Sequence, residues 1–330
     1  MIEISLALTD NVRTRPVIEG RVRPEGIALH TSVMSASEMF WRQLRHAEFD
    51  ASEMSLSSLM IAVSRGDDRW VAIPVYTMRQ FFHTWTWIRR DRGIAGPADL
   101  RGKRIGVPEY QQTAAVWARG VLQHEFGVHP SEIEWHMERT PETSHGGATG
   151  FVPPPGIRLQ GIQANTNIGE LLVSGGLDAT LLYLGQTNIV DRSSIDLGTR
   201  PEVQPLFPDA VAEGARYFAK TGLYHINHAM VVRRSLHERH PWLAVNLLNA
   251  FAAAKAEAAR VAEGVLAGYI ATGRIEPQLA RVLRSDDPMA YGVKSARGVL
   301  ETLSDLVFEQ GLSTRRVGIE EIFAPGTLDL

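Results

Sequence analysis

Two stretches of this chain place polar side chains where a short apolar strand turns into a helix. One stretch is residues 49–58 and the other is residues 103–120. The polar residues at the two joins are Glu53, Ser55 and Ser57 in the first stretch, and Glu109, Tyr110, Gln111 and Thr113 in the second. Free backbone N–H groups and the helix dipole favour an anion at a helix start. An ordinary strand-to-helix turn is the alternative for either stretch alone, but the two together predict a site for a negatively charged ligand.

Basic and titratable residues accompany these joins. Arg13 follows the first predicted strand, and Arg79 and His83 lie in an aromatic segment at residues 76–88. If that segment is a strand, Arg79, Phe81 and His83 share one face, because side chains alternate along a strand. Arginine pairs with carboxylates through two parallel hydrogen bonds, so we expect a small ligand with more than one carboxylate. A core aromatic strand with one hydrogen-bonded histidine is an equally good interpretation of this segment.

Acid–base catalysis is the chemistry that the titratable residues favour. The candidates for moving a proton in the cleft are Glu53, His83, Glu109, Tyr110 and His228. His225 and His228 are three positions apart and would face opposite ways on a strand, which makes them a poor pair of metal ligands. We expect one of these two histidines in the cleft and the other at the surface.

The motifs that the sequence lacks narrow the function further. It has no cysteine, which excludes disulfides, thiolate nucleophiles and cysteine-ligated zinc. It has no P-loop, no GxGxxG fingerprint, no GxSxG elbow and no HExxH motif. We therefore expect any catalysis to need no nucleotide, no other cofactor and no obvious metal.

The composition fits a globular protein of two domains, with 330 residues, 44% of them hydrophobic and 22% charged. A net charge of −3 gives no reason to expect nucleic acid or an anionic membrane as a partner. No apolar run reaches the ~18 residues that span a bilayer. The N-terminus lacks the basic head, apolar core and cleavage site of a signal peptide. A cytoplasmic location is the expectation that follows.

The order of the predicted elements indicates an α/β fold. Strands are expected at residues 3–8, 27–33, 70–76, 104–107 and 178–183. Alternation of strands with helices predicts parallel, doubly wound sheets with ligands at the carboxyl ends of the strands. Residues 136–161 are predicted as a surface loop and 222–232 as an extended return, and helices are expected at 241–264, 277–283 and 291–310.

Two lobes joined by two extended crossings are the architecture that these elements predict. The first lobe would consist of residues 1–85 and 226–330, the second of residues 86–225, with the ligand cleft between them. The crossings would form the hinge. The pattern Asp-Leu-x-Gly-Lys-x-Ile-Gly-Val at residues 99–107 resembles the start of the second lobe in type II periplasmic-binding-protein folds.

Motifs along nearly the whole chain resemble the 4,5-dihydroxyphthalate decarboxylase family, a cytoplasmic branch of that fold. The longest are FDASEMSLSS at residues 49–58 and GVPEYQ at 106–111, which TAAVW follows at 113–117. The shorter matches are Arg13-Thr14, Pro24-Glu25-Gly26-Ile27, Ile73-Pro74-Val75, Arg79, Phe81, His83, Leu206-Phe207-Pro208, His228 and His240-Pro241-Trp242.

The resemblance implies a carboxy-lyase that removes CO2 from a dihydroxylated aromatic diacid without oxidation, giving a protocatechuate-like product. It implies that His83 or His228 moves one proton and that Glu53 or Glu109 moves the other. The substrate-binding residues that it implies are Arg13, Arg79, Ser55, Ser57, Tyr110, Gln111 and Thr113. It also suggests a homo-oligomer.

One departure from the family pattern leaves two alternatives open. A basic residue commonly follows the strand predicted at 178–183, whereas this chain has Leu184-Gly185-Gln186 there, with Arg192 and Arg200 further on. A decarboxylase for another aromatic or heteroaromatic carboxylate is the first alternative. A non-catalytic binding protein for an aromatic acid is the second, because the same fold serves both roles.

Overall fold

The computed structural model describes residues 1–279 and 287–330. Its strands are β1 (Ile2–Leu8), β2 (Ile27–Val33), β3 (Ala51–Ser55), β4 (Trp70–Arg79), β5 (Thr86–Arg89), β6 (Arg104–Val107), β7 (Glu134–Met137), β8 (Arg158–Gly161), β9 (Ala179–Leu181), β10 (Val203–Pro205) and β11 (Ile226–Arg233). Its α-helices are α1 (Arg15–Ile18), α2 (Ala36–His46), α3 (Leu56–Ser64), α4 (Thr113–Phe126), α5 (His145–Thr149), α6 (Ile168–Ser174), α7 (Ala210–Thr221), α8 (Arg234–Arg239), α9 (Leu243–Ala271), α10 (Val293–Glu309) and α11 (Ile319–Ile322). Short 3₁₀ helices span Phe82–Trp85, Arg90–Arg92, Pro97–Leu100, Pro130–Glu132, Leu197–Thr199 and Pro325–Thr327.

The first sheet has the strand order β2-β1-β3-β11-β4. β1 pairs in parallel with β2 and β3, whereas β11 pairs antiparallel with both β3 and β4. Apolar side chains of β1 and β4 pack against the buried half of α9, where Leu247 and Phe251 lie. The predicted parallel pairing is therefore wrong at β11. This strand carries the chain back from the second lobe, so it enters at the edge where its neighbours leave and must run in the opposite direction.

The second sheet has the order β10-β5-β9-β6-β7-β8. β6 is parallel to β9 and β7, and β7 is parallel to β8, while β5 runs antiparallel to β9 and β10. α4 follows β6 and is buried along most of its length, including Trp117. Its C-terminal residue precedes Gly127, whose φ of 66° gives the left-handed turn that ends the helix.

The strands of the first sheet belong to residues 1–85 and 226–330, and those of the second sheet to residues 86–225. This division agrees with the predicted lobes, whose boundaries stay a prediction. One crossing differs from its prediction: the chain leaves β4 at Arg79, forms the 3₁₀ helix Phe82–Trp85 and enters β5 at Thr86. Arg79, Phe81 and His83 therefore do not share one strand face, because the chain turns there to change lobes.

Other segments depart from the sequence prediction in detail. Residues 136–161 are not simply a loop, since they hold the end of β7, all of α5 and all of β8. Helix α9 continues to Ala271, beyond the predicted residue 264. Of the helix predicted at 277–283, residues 277–279 are helical and the rest lies outside the described residues. In the described part of the chain, no helix is long and apolar enough to cross a membrane.

Candidate active site

A cavity of about 560 Å³ lies between the lobes, within the size range of sites for small molecules. Its apolar wall is Ala36, Phe40, Met78, Phe82, Trp85, Ala114, Leu182, Leu184 and Gly185. Its polar wall is Ser35, Ser37, Ser55, Gln112, Thr113, Arg139, His145, Tyr183, Gln186, Asn188, Asp191, Asn227 and His228. Most of the surface that the cavity wall exposes is apolar, and polar groups converge on it from both lobes, which suits a small aromatic ligand with polar substituents.

Two helix starts meet at the cavity, as the sequence predicts. Ser55 Oγ and Thr113 Oγ1 are 2.9 Å apart, at the starts of α3 and α4. The Ser57 amide donates to Thr113 Oγ1 at 2.9 Å, and Ser57 Oγ donates to the Gln111 carbonyl at 2.7 Å. Ser55 and Thr113 therefore line the cavity, while Ser57 and Gln111 lie behind them and hold the two starts together.

His228 and Glu53 form a hydrogen-bonded pair at the first-lobe wall. His228 Nδ1 lies 3.1 Å from Glu53 Oε2, and His228 lines the cavity while Glu53 is fully buried behind it. Thr9 donates to Glu53 through its amide and its hydroxyl, both at 2.6 Å, and the Thr77 hydroxyl donates at 2.6 Å. Burial raises the pKa of Glu53, but the hydrogen bonds and the His228 ring outweigh burial, so the pKa is lowered. An ionised Glu53 fixes His228 with its proton on Nδ1 and leaves Nε2 to act as a base.

Asn227 is the second partner of the His228 ring. Its Nδ2 lies 2.8 Å from His228 Nε2, and its buried Oδ1 has no hydrogen-bond partner among the described residues. Rotation of the amide would exchange donor for acceptor, so Asn227 can serve the neutral ring and the protonated ring in turn.

Arg139 is the centre of a second polar cluster, on the second-lobe wall. Its Nε donates to Asp191 Oδ1 at 2.7 Å, and its Nη1 lies 3.3 Å from His145 Nε2 and 3.9 Å from Glu109 Oε2. Glu109 also accepts hydrogen bonds from the amides of His145 at 3.0 Å and Gly146 at 3.3 Å. The cluster joins the ends of three chain segments beneath one side of the cavity.

Burial gives the members of this cluster different protonation behaviour. It raises the pKa of Glu109 to about 7, against the opposing charge of Arg139. It lowers the pKa of His145 to about 3, so this ring is neutral near pH 7. Burial also raises the pKa of Asp191, but the charge and hydrogen bond of Arg139 outweigh burial and lower it overall. Arg139 and Asp191 are therefore a buried ion pair, and Glu109 titrates beside them.

The structure does not bring His83 to the cavity. His83 is fully buried beside Phe207, Tyr217 and His225, and its Nε2 lies 3.2 Å from Glu213 Oε1. Burial lowers the pKa of this ring. The 3₁₀ helix at the crossing turns His83 toward α7 and away from the ligand space.

The two arginines expected to bind carboxylates also lie elsewhere. Arg13 donates from Nη2 to the Thr77 carbonyl at 2.6 Å, and Arg79 donates from Nη2 to the Ala290 carbonyl at 2.8 Å. The Arg79 guanidinium stacks 5.0 Å from the centre of the Tyr76 ring, and burial lowers its pKa. Neither arginine lines the cavity, because Arg13, in the turn before α1, and Arg79, at the end of β4, both donate to backbone carbonyls of the first lobe.

Tyr110 and Glu109 lie behind the cavity wall. Tyr110 is fully buried, with the Arg119 guanidinium 3.8 Å from its ring centre and Trp135 beside it. Tyr110 and Glu109 thus support the wall and do not border the ligand space.

His225 corrects the expectation of a surface histidine. It is fully buried and stacks on Trp117, with ring centres 4.2 Å apart and planes within 4°. The Trp117 indole also donates to the Ile226 carbonyl at 2.9 Å. At the start of β11, α4 covers the face that points away from the cavity. His225 lies on that face and is therefore buried in the core.

Arg139, His145, Asn188 and Asp191 are cavity residues that the sequence prediction missed. They lie in segments without helical or strand periodicity, which read as surface loops. One signal was present: Arg139 follows β7 by two residues, at the carboxyl end of a strand in the second sheet. Ligands of open α/β sheets bind at that edge.

The segment after β9 forms a strained part of the wall. Leu182 has a φ of 67°, a left-handed conformation that is rare for a side chain of this size. The Thr180 hydroxyl donates to the Leu182 carbonyl at 2.8 Å and helps to hold this turn. The residues Leu184-Gly185-Gln186, where the sequence departs from the family pattern, follow this turn and line the cavity.

Comparison with known proteins identifies relatives of this chain. No family model matches the sequence. The chain is 34% identical, over 330 residues, to a 4,5-dihydroxyphthalate decarboxylase of Comamonas testosteroni, and the match covers 99% of this chain and 98% of that protein. The chain belongs to the 4,5-dihydroxyphthalate decarboxylase family. A 4,5-dihydroxyphthalate decarboxylase of Pseudomonas putida is 37% identical over 180 residues, which cover 54% of this chain and 70% of the relative. The family resemblance drawn from the motifs is confirmed.

A solved structure supports the fold of this decarboxylase family member. The periplasmic aliphatic sulphonate binding protein SsuA from Escherichia coli matches with a TM-score of 0.57 at 14% identity, over 97% of this chain and 91% of that protein. At this identity the likeness concerns the fold alone. The predicted two-lobed periplasmic-binding-protein-like fold is confirmed.

Proposed function

We propose that this protein is a carboxy-lyase that converts 4,5-dihydroxyphthalate to protocatechuate and CO2 in the cavity between the lobes. The observation that carries the proposal is the 34% identity to an enzyme of that name along 99% of the chain. The mostly apolar cavity with converging polar groups suits the aromatic ring and its substituents.

The reaction replaces a carboxylate on the ring with a proton. The hydroxyl para to the departing carboxylate supplies electrons to the ring carbon that bears it, and that carbon takes a proton. The bond between this carbon and the carboxylate then breaks, its electron pair restores the aromatic ring, and CO2 leaves. The reaction therefore needs one acid placed at the ring carbon.

His228 is the acid that we propose for this step. It lines the cavity, and its partner Glu53 is ionised, which stabilises the positive charge of the ring when Nε2 carries a proton. Glu53 touches no ligand space, so we assign it a positioning role. Asn227 would accept from the protonated Nε2 until the proton is transferred.

Ser55 and Thr113 are placed to orient the departing carboxylate. Ser55 lies opposite His228 in the pairing of β3 with β11, so both side chains project from the same face of the sheet. The N-termini of α3 and α4 meet at the same point, and the dipoles of the two helices favour an anion there. A carboxylate held there lies beside the acid that protonates its ring carbon.

A decarboxylase for a different aromatic carboxylate is the second candidate, favoured by Leu184-Gly185-Gln186 in the cavity wall. The test is incubation of the purified protein with 4,5-dihydroxyphthalate, before and after chelator treatment, with CO2 and protocatechuate both measured. Equal amounts of the two products are expected. Binding without CO2 release would contradict the proposal and favour a solute-binding role. Release of CO2 only from related acids would favour the second candidate.

A further inference from the structure

Arg139 is the one lysine or arginine among the described residues that line the cavity. Its side chain is almost fully buried, and its residue exposure is 2%. The amides of Glu138 and Arg139 extend the pairing of β7 with β6 by donating to the carbonyls of Val107 and Pro108. The backbone of Arg139 is thus held by the second sheet, and its guanidinium reaches the wall from a rigid base.

The guanidinium is oriented but not saturated. Asp191 holds Nε at 2.7 Å and His145 holds Nη1 at 3.3 Å, while Nη2 donates to no group in the described part of the chain. Asn188 in turn donates to Asp191 Oδ2 at 3.0 Å. Arginine recognises a carboxylate through a pair of parallel N–H groups, and this fork has donors left for one.

The charges around Arg139 are compatible with a further anion beside it. Asp191 is ionised and balances the guanidinium, while the neighbouring His145 ring is neutral. Glu109 lies 3.9 Å from Nη1, and burial already favours its protonated form. A carboxylate that arrives at Arg139 would favour protonation of Glu109 further, so the cluster can accept a negative charge by taking up a proton.

His145, which Arg139 contacts, and His228 flank the same aromatic ring. Phe40 makes edge contacts with His145, at 5.5 Å between ring centres, and with His228, at 4.6 Å. Arg139 contacts His145 directly. One compact aromatic ligand against Phe40 can therefore meet His228 on one side and Arg139 on the other.

We propose that Arg139 binds the carboxylate that the substrate retains, and that it thereby selects aromatic diacids and holds the product after CO2 has left. The proposal rests on the proposed function. It assigns the cation that Arg13 and Arg79 do not supply, and it places the two carboxylates in different surroundings. The departing group meets the hydroxyls of Ser55 and Thr113 and the acid His228, whereas the retained group meets the guanidinium, whose lasting positive charge would stabilise the carboxylate that must be lost if it stood there.

The test measures affinity against the number of carboxylates on the ligand. Catechol, protocatechuate and 4,5-dihydroxyphthalate carry none, one and two, and calorimetry gives Kd for each. All variants carry His228→Gln, so that the diacid is not consumed, and the set is Arg139→Gln, Arg139→Lys and the control Arg192→Gln. Arg192 is a matched control because its guanidinium donates to the carbonyls of Thr166 and Gln163, outside the cavity wall.

Arg139→Gln should weaken the binding of protocatechuate and of the diacid by about 10- to 100-fold each, as expected for a charged hydrogen-bonded pair. The Kd of catechol should stay the same. Arg139→Lys should lose less affinity for the two carboxylates than Arg139→Gln, and Arg192→Gln should change the Kd of none of the three ligands. An equal loss for all three ligands would reveal a purely structural role and overturn the proposal. So would unchanged affinity for both carboxylates.

Release of CO2 by the unmodified protein separates this proposal from the proposed function. Release together with an unchanged carboxylate preference in Arg139→Gln overturns the assignment of Arg139 and leaves the decarboxylase. No release together with the expected loss of carboxylate affinity overturns the decarboxylase and supports Arg139 as the residue that binds the carboxylate.

Discussion

Glu53, Asp191 and Glu109 are three carboxyl groups around one cavity, and each meets a different environment. Glu53 makes four hydrogen bonds with three neighbouring residues and has a lowered pKa, which suits a group that only orients His228. Asp191 is ionised against Arg139. Glu109 accepts from two backbone amides and lies 3.9 Å from the Arg139 guanidinium, but burial outweighs these contacts and raises its pKa to about 7. The residue type alone does not determine these differences.

The raised pKa of Glu109 predicts a specific pH dependence of stability. The folded chain holds this proton up to a pKa of about 7, whereas an ordinary glutamate releases it near 4.5. The resulting stabilisation is fully present below pH 4.5 and is lost as pH rises through 7. Relative to Glu109→Gln, the free energy of unfolding of the unmodified protein should fall by about 3 kcal/mol from pH 4.5 to pH 8.

Urea unfolding of both proteins across this pH range checks the prediction. Other groups titrate alike in the two proteins, so the difference isolates Glu109. A difference that stays constant with pH would show that Glu109 is ionised in the fold throughout.

At the scale of elements, the turn from β7 to α5 carries both Arg139 and His145 to the cavity. Ser144 caps α5, because its hydroxyl oxygen accepts from the Gly147 amide at 2.7 Å. A Cβ at Gly147 would lie 1.6 Å from the Pro141 carbonyl oxygen, so the turn closes only with glycine at this position. The cavity wall therefore depends on one close backbone approach.

Gly147→Ala should displace this turn, with a loss of about 1–3 kcal/mol in stability and at least a tenfold loss of activity. Gly161→Ala is the control, because a Cβ there meets nothing within 4 Å. Thermal unfolding and turnover of both variants check the expectation. Equal stability and equal turnover of the two variants would contradict the prediction and show that the turn tolerates a shift of Pro141.

The sequence predicts the elements with strong local signals. The strand-to-helix joins at residues 49–58 and 103–120 lie where the sequence predicts them. An apolar strand, a turn and a helix start each have a recognisable pattern over a few neighbouring residues. Arg139 and Asp191 could not be paired from sequence, because their 2.7 Å contact joins residues 52 positions apart. The sequence predicts His83 in the cleft because the turn at the 3₁₀ helix Phe82–Trp85 has no clear signal in the residue pattern.

At the scale of the whole molecule, hydrogen bonds join the lobes around the cavity. The Trp41 indole donates to the Glu142 carbonyl at 2.7 Å, and Asn188 Nδ2 donates to Ser37 Oγ at 3.1 Å. Arg65 donates to the Thr149 carbonyl at 2.5 Å. A ligand must enter between the lobes, so we expect these contacts to open and close with binding, as in other two-lobed proteins.

Trp41→Phe should weaken closure without touching the chemistry. The indole donates one hydrogen bond across the lobes, worth about 0.5–1.5 kcal/mol, so KM should rise ~2- to 10-fold while kcat changes less than twofold. Trp242→Phe, at an exposed site of the first lobe, is the control. A fall in kcat with KM unchanged would place Trp41 in the catalytic step and contradict the assignment to closure.

The most direct test of the account is the rate of CO2 release by His228→Gln beside His83→Gln. Both histidines follow from the family motifs, but only His228 lines the cavity. Loss of a positioned acid predicts a ~10²- to 10⁴-fold fall in kcat for His228→Gln, and little change for His83→Gln. A His228→Gln variant that keeps a rate within tenfold of the unmodified protein, or a His83→Gln variant that loses as much as predicted for His228, would contradict the account.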